Sequence, residues 1–136
     1  INCALGISQL SKIKKFLIKR KKIYFYYKKN LEGFKKNISF PKYNKNNFPS
    51  YHLVLMNIDF KNLKEKNNFL KYLIKNSIMC QFHYIPINKF SILRKYKIKL
   101  PSSEIYYRTT LSIPIFHKIS NEQLKKIVFK IKKYFD

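Results

Sequence analysis

Three side chains of this chain, His52, His83 and His117, are imidazoles, the side-chain type best suited to moving protons or binding a ligand at physiological pH. His52 and His83 stand among polar and aromatic neighbours, in Ser50-Tyr51-His52-Leu53 and Gln81-Phe82-His83-Tyr84-Ile85-Pro86. The second group closes an apolar run that reads as a strand. The carboxyl end of a strand is a favoured place for ligand contacts in α/β folds. There a His-Tyr pair can offer one side chain to a ligand and the other to the core. The competing reading has both histidines satisfying backbone groups inside a packed domain.

Other self-contained chemistries are excluded by type and spacing. The two glycines, Gly6 and Gly33, are isolated, so no phosphate-cradling loop exists. The acidic residues, Glu32, Asp59, Glu65, Glu104, Glu122 and Asp136, are scattered among lysines, in loops or at the terminus, which argues against a carboxylate pair. The histidines lack metal-ligand spacing, and no serine occupies a nucleophile elbow. Cys3 and Cys80 are too sparse for a disulfide framework or a zinc knuckle and read as reduced thiols. No complete active site is visible, and no metal site.

The elements that must position the histidines follow from periodicity. Residues 4–31 space Ala4, Leu5, Leu10, Ile13, Leu17, Tyr24, Tyr27 and Leu31 as one long helix, stopped by Gly33. Pro41, Pro49 and an Asn/Lys cluster make 37–50 a short extended piece and then a loop. Residues 51–58 predict a strand, 62–76 a helix, and 78–85 a second strand ended by Pro86. The stretch 88–101 is ambiguous. Ser102 and Ser103 are expected to cap a brief helix through Tyr107. Residues 111–115 predict a strand, placed at a sheet edge by Pro114. Ser120 and Gln123 form a capping box that opens the last helix, through Tyr134. The fold class is therefore α/β or α+β, with a small sheet and no internal repeat.

A net charge of +24 raises nucleic-acid binding as an alternative function. The charge is nearly all lysine, with Arg20, Arg94 and Arg108 the only arginines, and it is spread along the whole chain. Bidentate phosphate and base contacts call for arginine. Lys, Asn, Ile, Tyr and Phe share A/T-rich codons, so compositional drift explains the charge without a nucleic-acid partner. Hydrophobic residues at 46% allow a real core, yet lysines interrupt every apolar stretch before it could span a bilayer. The start, Ile1-Asn2-Cys3-Ala4, is not a signal peptide and reads as the interior of a longer cytoplasmic protein.

Five segments, in order, resemble the DegT/DnrJ/StrS aminotransferases. Ala4-Leu5-Gly6-Ile7-Ser8-Gln9-Leu10 before Lys19-Arg20-Lys21 is similar to the helix that follows the active-site region. Ser50-Tyr51-His52-Leu53 is similar to the small-domain Ser-aromatic-His strand opening. Phe82-His83-Tyr84-Ile85-Pro86-Ile87 resembles the His-Tyr-Ile-Pro segment, in the form carried by pseudaminic-acid-pathway members. Glu104-Ile105-Tyr106-Tyr107-Arg108 with Leu111-Ser112-Ile113-Pro114-Ile115 matches the late tyrosine-rich turn and the Leu-Ser-Leu-Pro strand. The helix after Ser120 fits as well. After Ile87 the chain departs, with Asn88-Lys89-Phe90-Ser91 where the family often has His and an aromatic stretch.

The resemblance implies a fold-type I architecture. Pyridoxal phosphate sits on a lysine of a large domain, and a small domain closes over it. Residues 1–136 would be that C-terminal small domain, with 1–33 as a long connecting helix. The Schiff-base lysine would lie upstream, so no catalytic residue is expected here. His83, Tyr84 and His52 would be substrate-binding residues. The implied reaction moves an amino group from glutamate to a nucleotide-linked 4-keto-deoxy sugar for cell-surface glycan synthesis. A homodimer is implied, because the family builds its sites at a subunit interface. A dehydratase of the same fold is the alternative within the family.

Overall fold

The computed structural model describes residues 1–136, except for the side chain of Arg94. Helices α1 (Asn2–Leu10) and α2 (Ile13–Leu31) lead into β1 (Val54–Asn57) and α3 (Leu63–Lys75). Short 3₁₀ turns at Ile87–Lys89 and Ser91–Tyr96 precede α4 (Pro101–Thr109), β2 (Thr110–Ile113) and α5 (Asn121–Phe135).

The predicted single helix over 4–31 is broken. The Ser11 hydroxyl donates to the Ser8 carbonyl at 2.9 Å, and the Lys12 amide bonds Gln9 rather than Ser8. A serine that competes for helix carbonyls favours a break there. Helix α1 buries none of its residues, whereas α2 buries Ile23, Tyr24, Tyr27 and Leu31. The connecting helix expected over 1–33 is therefore two helices, and only the second anchors in the core. Gly33 follows α2 with φ +73°, a conformation that suits a residue without a side chain.

Strands β1 and β2 pair antiparallel, with Leu55 opposite Ser112. Isolated bridges extend this ribbon on both sides, Ser39 to Asn57 and Gln81 to Ser112. The predicted strand over 78–85 is thus reduced to one bridged residue. Gln81 and Ser112 exchange both backbone hydrogen bonds, at 3.1 and 2.7 Å, and the chain then bends at His83. An apolar run looks the same in sequence whether it lies in a sheet or along an exposed edge. Here Met79, Tyr84 and Ile85 are exposed. The edge position expected from Pro114 is also corrected. All of β2 is buried, because β1 flanks one side and Gln81 the other. Pro114 lies just past the strand, where its missing N–H costs no ladder bond, and its carbonyl accepts from the Tyr27 hydroxyl at 2.9 Å.

Helix α5 opens on the expected capping box, with both Ser120–Gln123 hydrogen bonds formed. Helix α3 is capped by the Asn62 side chain, which accepts from the Glu65 amide at 3.0 Å. Helix α4 departs from expectation. Its first residue is Pro101, whose fixed φ suits that position, so Ser102 and Ser103 lie inside the first turn rather than at the cap.

Apolar faces of α2, α3 and α5 close over the ribbon. Phe69 stacks on Tyr134 and Phe135, with ring centroids 4.9 and 5.0 Å apart, which locks α3 to α5. Among the described residues no helix is long and apolar enough to cross a membrane. The antiparallel ribbon with helices packed on it is the α+β small-domain form of the expected class.

Candidate functional site

The Gln81–Ser112 bridge delivers His83 to a fixed place. Its ring Nε2 lies 3.0 Å from the Ser112 hydroxyl oxygen, and its Nδ1 is buried without a partner. Either tautomer leaves Nδ1 unsatisfied. If Nε2 carries the proton, Nδ1 is a bare acceptor; if Nδ1 carries it, the proton has no acceptor. A buried ring nitrogen in that condition is costly unless something donates to it or accepts from it.

Tyr84 lies edge-on to His83, with ring centroids 5.0 Å apart, and is 77% exposed. His83, Tyr84, Pro86 and Tyr106 frame a cleft of about 360 Å³ together with Ser102 and Ser103, from the first turn of α4. The helix thus sets two hydroxyls, and amides that have no helical partner, opposite the His-Tyr pair. A site of this kind can hold a polar ligand by hydrogen bonds on one wall and ring faces on the other.

His52 is elsewhere. It is exposed, and its Nδ1 lies 3.2 Å from the Ser50 hydroxyl. It lines a second, larger cavity of about 590 Å³ with Ile113, Phe116 and Ile127. Ser112 belongs to the wall of that cavity and also holds His83, so the two predicted histidines face different spaces. His117 stacks on Phe16, centroids 4.6 Å apart, and touches neither.

Four acidic side chains, Glu32, Glu65, Glu104 and Asp136, are engaged by lysines. Lys36 lies 2.8 Å from Glu65, Lys89 lies 3.1 Å from Glu104, and Lys35 lies 3.0 Å from Asp136. Hydrogen bonds from Lys36 and the Lys61 amide hold the Glu65 carboxyl below its usual range. Among the described residues no group of three His, Cys, Asp or Glu side chains could hold a metal.

A profile of the DegT/DnrJ/EryC1/StrS aminotransferase family matches residues 1–132. The chain belongs to that family. It is 31% identical, over 129 residues and 92% of its length, to the UDP-4-amino-4,6-dideoxy-N-acetyl-beta-L-altrosamine transaminase of Campylobacter jejuni. Among solved structures it superposes on Helicobacter pylori PseC, an aminotransferase of pseudaminic-acid biosynthesis. The TM-score is 0.87 and the identity 25%, over 97% of this chain and 36% of that one. The sugar aminotransferase Spr1654 of Streptococcus pneumoniae shares the fold, with TM-score 0.85 and 22% identity over 95% of this chain and 33% of that one. The chain spans about a third of the length of the relatives it matches.

The family implies pyridoxal phosphate, and Spr1654 has been solved in a PLP form. That cofactor needs a lysine free to reach its aldehyde and donors for its phosphate. No lysine lines the His83 cleft. Lys66, the buried lysine, is 1% exposed, and its ammonium is shut between two carbonyls and two aromatic rings. The residues of the His83 cleft do not fit the cofactor, and no step of its chemistry is assigned to them.

Sequence reasoning missed Ser112 as the partner of His83, Ser102 and Ser103 as cleft residues, and Lys66 as a buried cation. For Lys66 a signal existed. With Phe69 and Leu73 it continues the buried stripe of α3, at i, i+3 and i+7, so a lysine occupied a core position. The serines left no signal, because their roles depend on contacts far apart in the chain.

Proposed function

We propose that the full-length protein is a pyridoxal-phosphate-dependent transaminase. It moves an amino group from glutamate to the keto carbon of a nucleotide-linked 4-keto-deoxy sugar, in cell-surface glycan synthesis. Residues 1–136 act as its C-terminal small domain. In this reading the cofactor and its lysine belong to a large domain outside these residues, and the active unit is a homodimer. The observation that carries the proposal is the continuous similarity, across nearly the whole chain, to a relative named as a UDP-amino-sugar transaminase.

The role of this chain is substrate contact. His83 and Tyr84 form the sugar-side edge of the cleft, and the exposed Tyr84 ring is the surface the substrate would meet first. Ser102 and Ser103 supply hydroxyls across the cleft. His52 keeps a substrate-binding role only from the neighbouring cavity.

The test is an assay of the purified full-length protein. Visible absorbance of bound pyridoxal phosphate, and glutamate-dependent amination of a UDP-linked 4-keto sugar, are the expected results. Absence of both would refute the proposal. Bound sugar that loses a hydroxyl and gains no amine would replace it with the dehydratase reading.

A further inference from the structure

Lys66 is a charged side chain in the core of a chain whose other lysines are at least partly exposed. It projects from α3 toward the junction of α4 and β2. Its ammonium donates to the carbonyl of Tyr107 and, at 3.2 Å, to that of Thr110. Tyr107 lies in the last turn of α4, where carbonyls lack helical partners and a cation is favoured. The same nitrogen stands over the Tyr107 ring at 4.5 Å and the Phe82 ring at 5.2 Å. These two rings meet edge to face, 5.3 Å apart.

None of the surrounding carboxylates pairs with it. Glu65, its neighbour on α3, takes Lys36, and Glu104 on α4 takes Lys89. Arg108 turns away to donate to the Phe60 and Lys61 carbonyls at 2.6 and 2.9 Å. Burial without a counter-ion pushes the Lys66 amine down from 10.5 to about 8. Two carbonyls and two ring faces are therefore what hold this ammonium.

One of those rings belongs to the residue before His83. Ser112, which fixes the His83 ring, is two residues after Thr110, which fixes Lys66. The His83–Tyr84 edge is thereby held from two sides. We propose that Lys66 is a positioning residue for this edge: through Phe82 and the first residue of β2 it sets where His83 and Tyr84 stand. The inference rests on the reading of that edge as substrate-facing.

The experiment compares Lys66→Met, Lys66→Arg and Phe82→Leu in the full-length enzyme. Two quantities are read. One is amide hydrogen exchange over residues 81–85, with α5 as the internal control. The other is the rate of each half-reaction, with glutamate and with a UDP-linked 4-keto sugar. Lys66→Met is expected to speed exchange over 81–85 but not in α5. It should lower kcat/KM for the sugar by roughly tenfold to hundredfold, the scale of a small misplacement, and spare the glutamate half-reaction. Lys66→Arg, which keeps the charge and the donors, should restore most of the loss. Phe82→Leu removes one ring face, leaves the amine in place and should show the same pattern more weakly.

Unchanged exchange over 81–85 in both Lys66→Met and Phe82→Leu overturns the proposal. So does a parallel fall of both half-reactions that tracks the thermal midpoint. If His83→Ala leaves the sugar half-reaction untouched while Lys66→Met still loosens 81–85, the substrate reading fails and the positioning role stands.

Discussion

His83 and Ser112 are 29 residues apart in sequence and 3.0 Å apart between Nε2 and Oγ. The other ring nitrogen, Nδ1, is buried without a partner. His83→Ala in the full-length enzyme is expected to lower kcat/KM for the nucleotide sugar by about tenfold to hundredfold. That is the equivalent of one buried hydrogen bond of about 1–3 kcal/mol. Ser112→Ala should act in the same direction and less, since it frees the ring without removing it. Steady-state kinetics check both. A change confined to the melting temperature would return His83 to a structural role.

Stability should depend on pH through Lys66. Its folded pKa is about 8, below the ordinary 10.5. Between these values the unfolded chain holds the proton and the folded one does not, so stability from this group rises with pH across that window. Below pH 8 both states are protonated and the slope vanishes. Above pH 10 the sign reverses. Burial raises the Tyr24 hydroxyl to about 12 and the Tyr27 hydroxyl further, so the unfolded chain loses those protons first. Urea unfolding from pH 7 to 10, in high salt to mute the surface lysines, should show a rise that Lys66→Met flattens.

Two substitutions grade the core against its caps. Phe69 is fully buried between Phe60 and the Tyr134–Phe135 pair, so Phe69→Ala should cost about 3–5 kcal/mol. Ser120→Ala removes one cap hydrogen bond of α5 and should cost about 1 kcal/mol. Denaturant midpoints at constant slope measure both. Equal losses would mean that the cap contributes as much as the packing, against this expectation.

The two thiols should react very differently. Cys3 is exposed on α1, whereas burial pushes the Cys80 thiol up to about 12. At neutral pH a maleimide should label Cys3 promptly and Cys80 only after unfolding, as read by mass spectrometry of the digested chain. Prompt labelling of Cys80 would contradict its burial.

Much of the fold was legible where local physics is decisive. The capping box at Ser120, the strand at 54–57 and the Phe69–Leu73 stripe depend on neighbours within a turn or two. The failures share a different cause. The break after Leu10 turns on a single serine hydroxyl inside an otherwise helical pattern. The loss of the 78–85 strand turns on how much of that run finds a partner, and only Gln81 does. For the site, His83 and Tyr84 were visible as a polar-aromatic pair, and the structure places them in one cleft. His52, equally visible, faces another.

Residue type and order alone determined that this chain is an α+β domain with a small sheet. They also carried the resemblance that places it in the DegT/DnrJ/EryC1/StrS aminotransferase family. These properties are local, or are sums over positions. The tertiary structure alone decided that Ser112 holds His83, that Ser102 and Ser103 face it across a cleft, and that Lys66 lies under Phe82. Each of those pairings closes a loop of many residues. It forms because burial of the α3 and β2 faces brings the ends together, and no short-range pattern encodes the meeting.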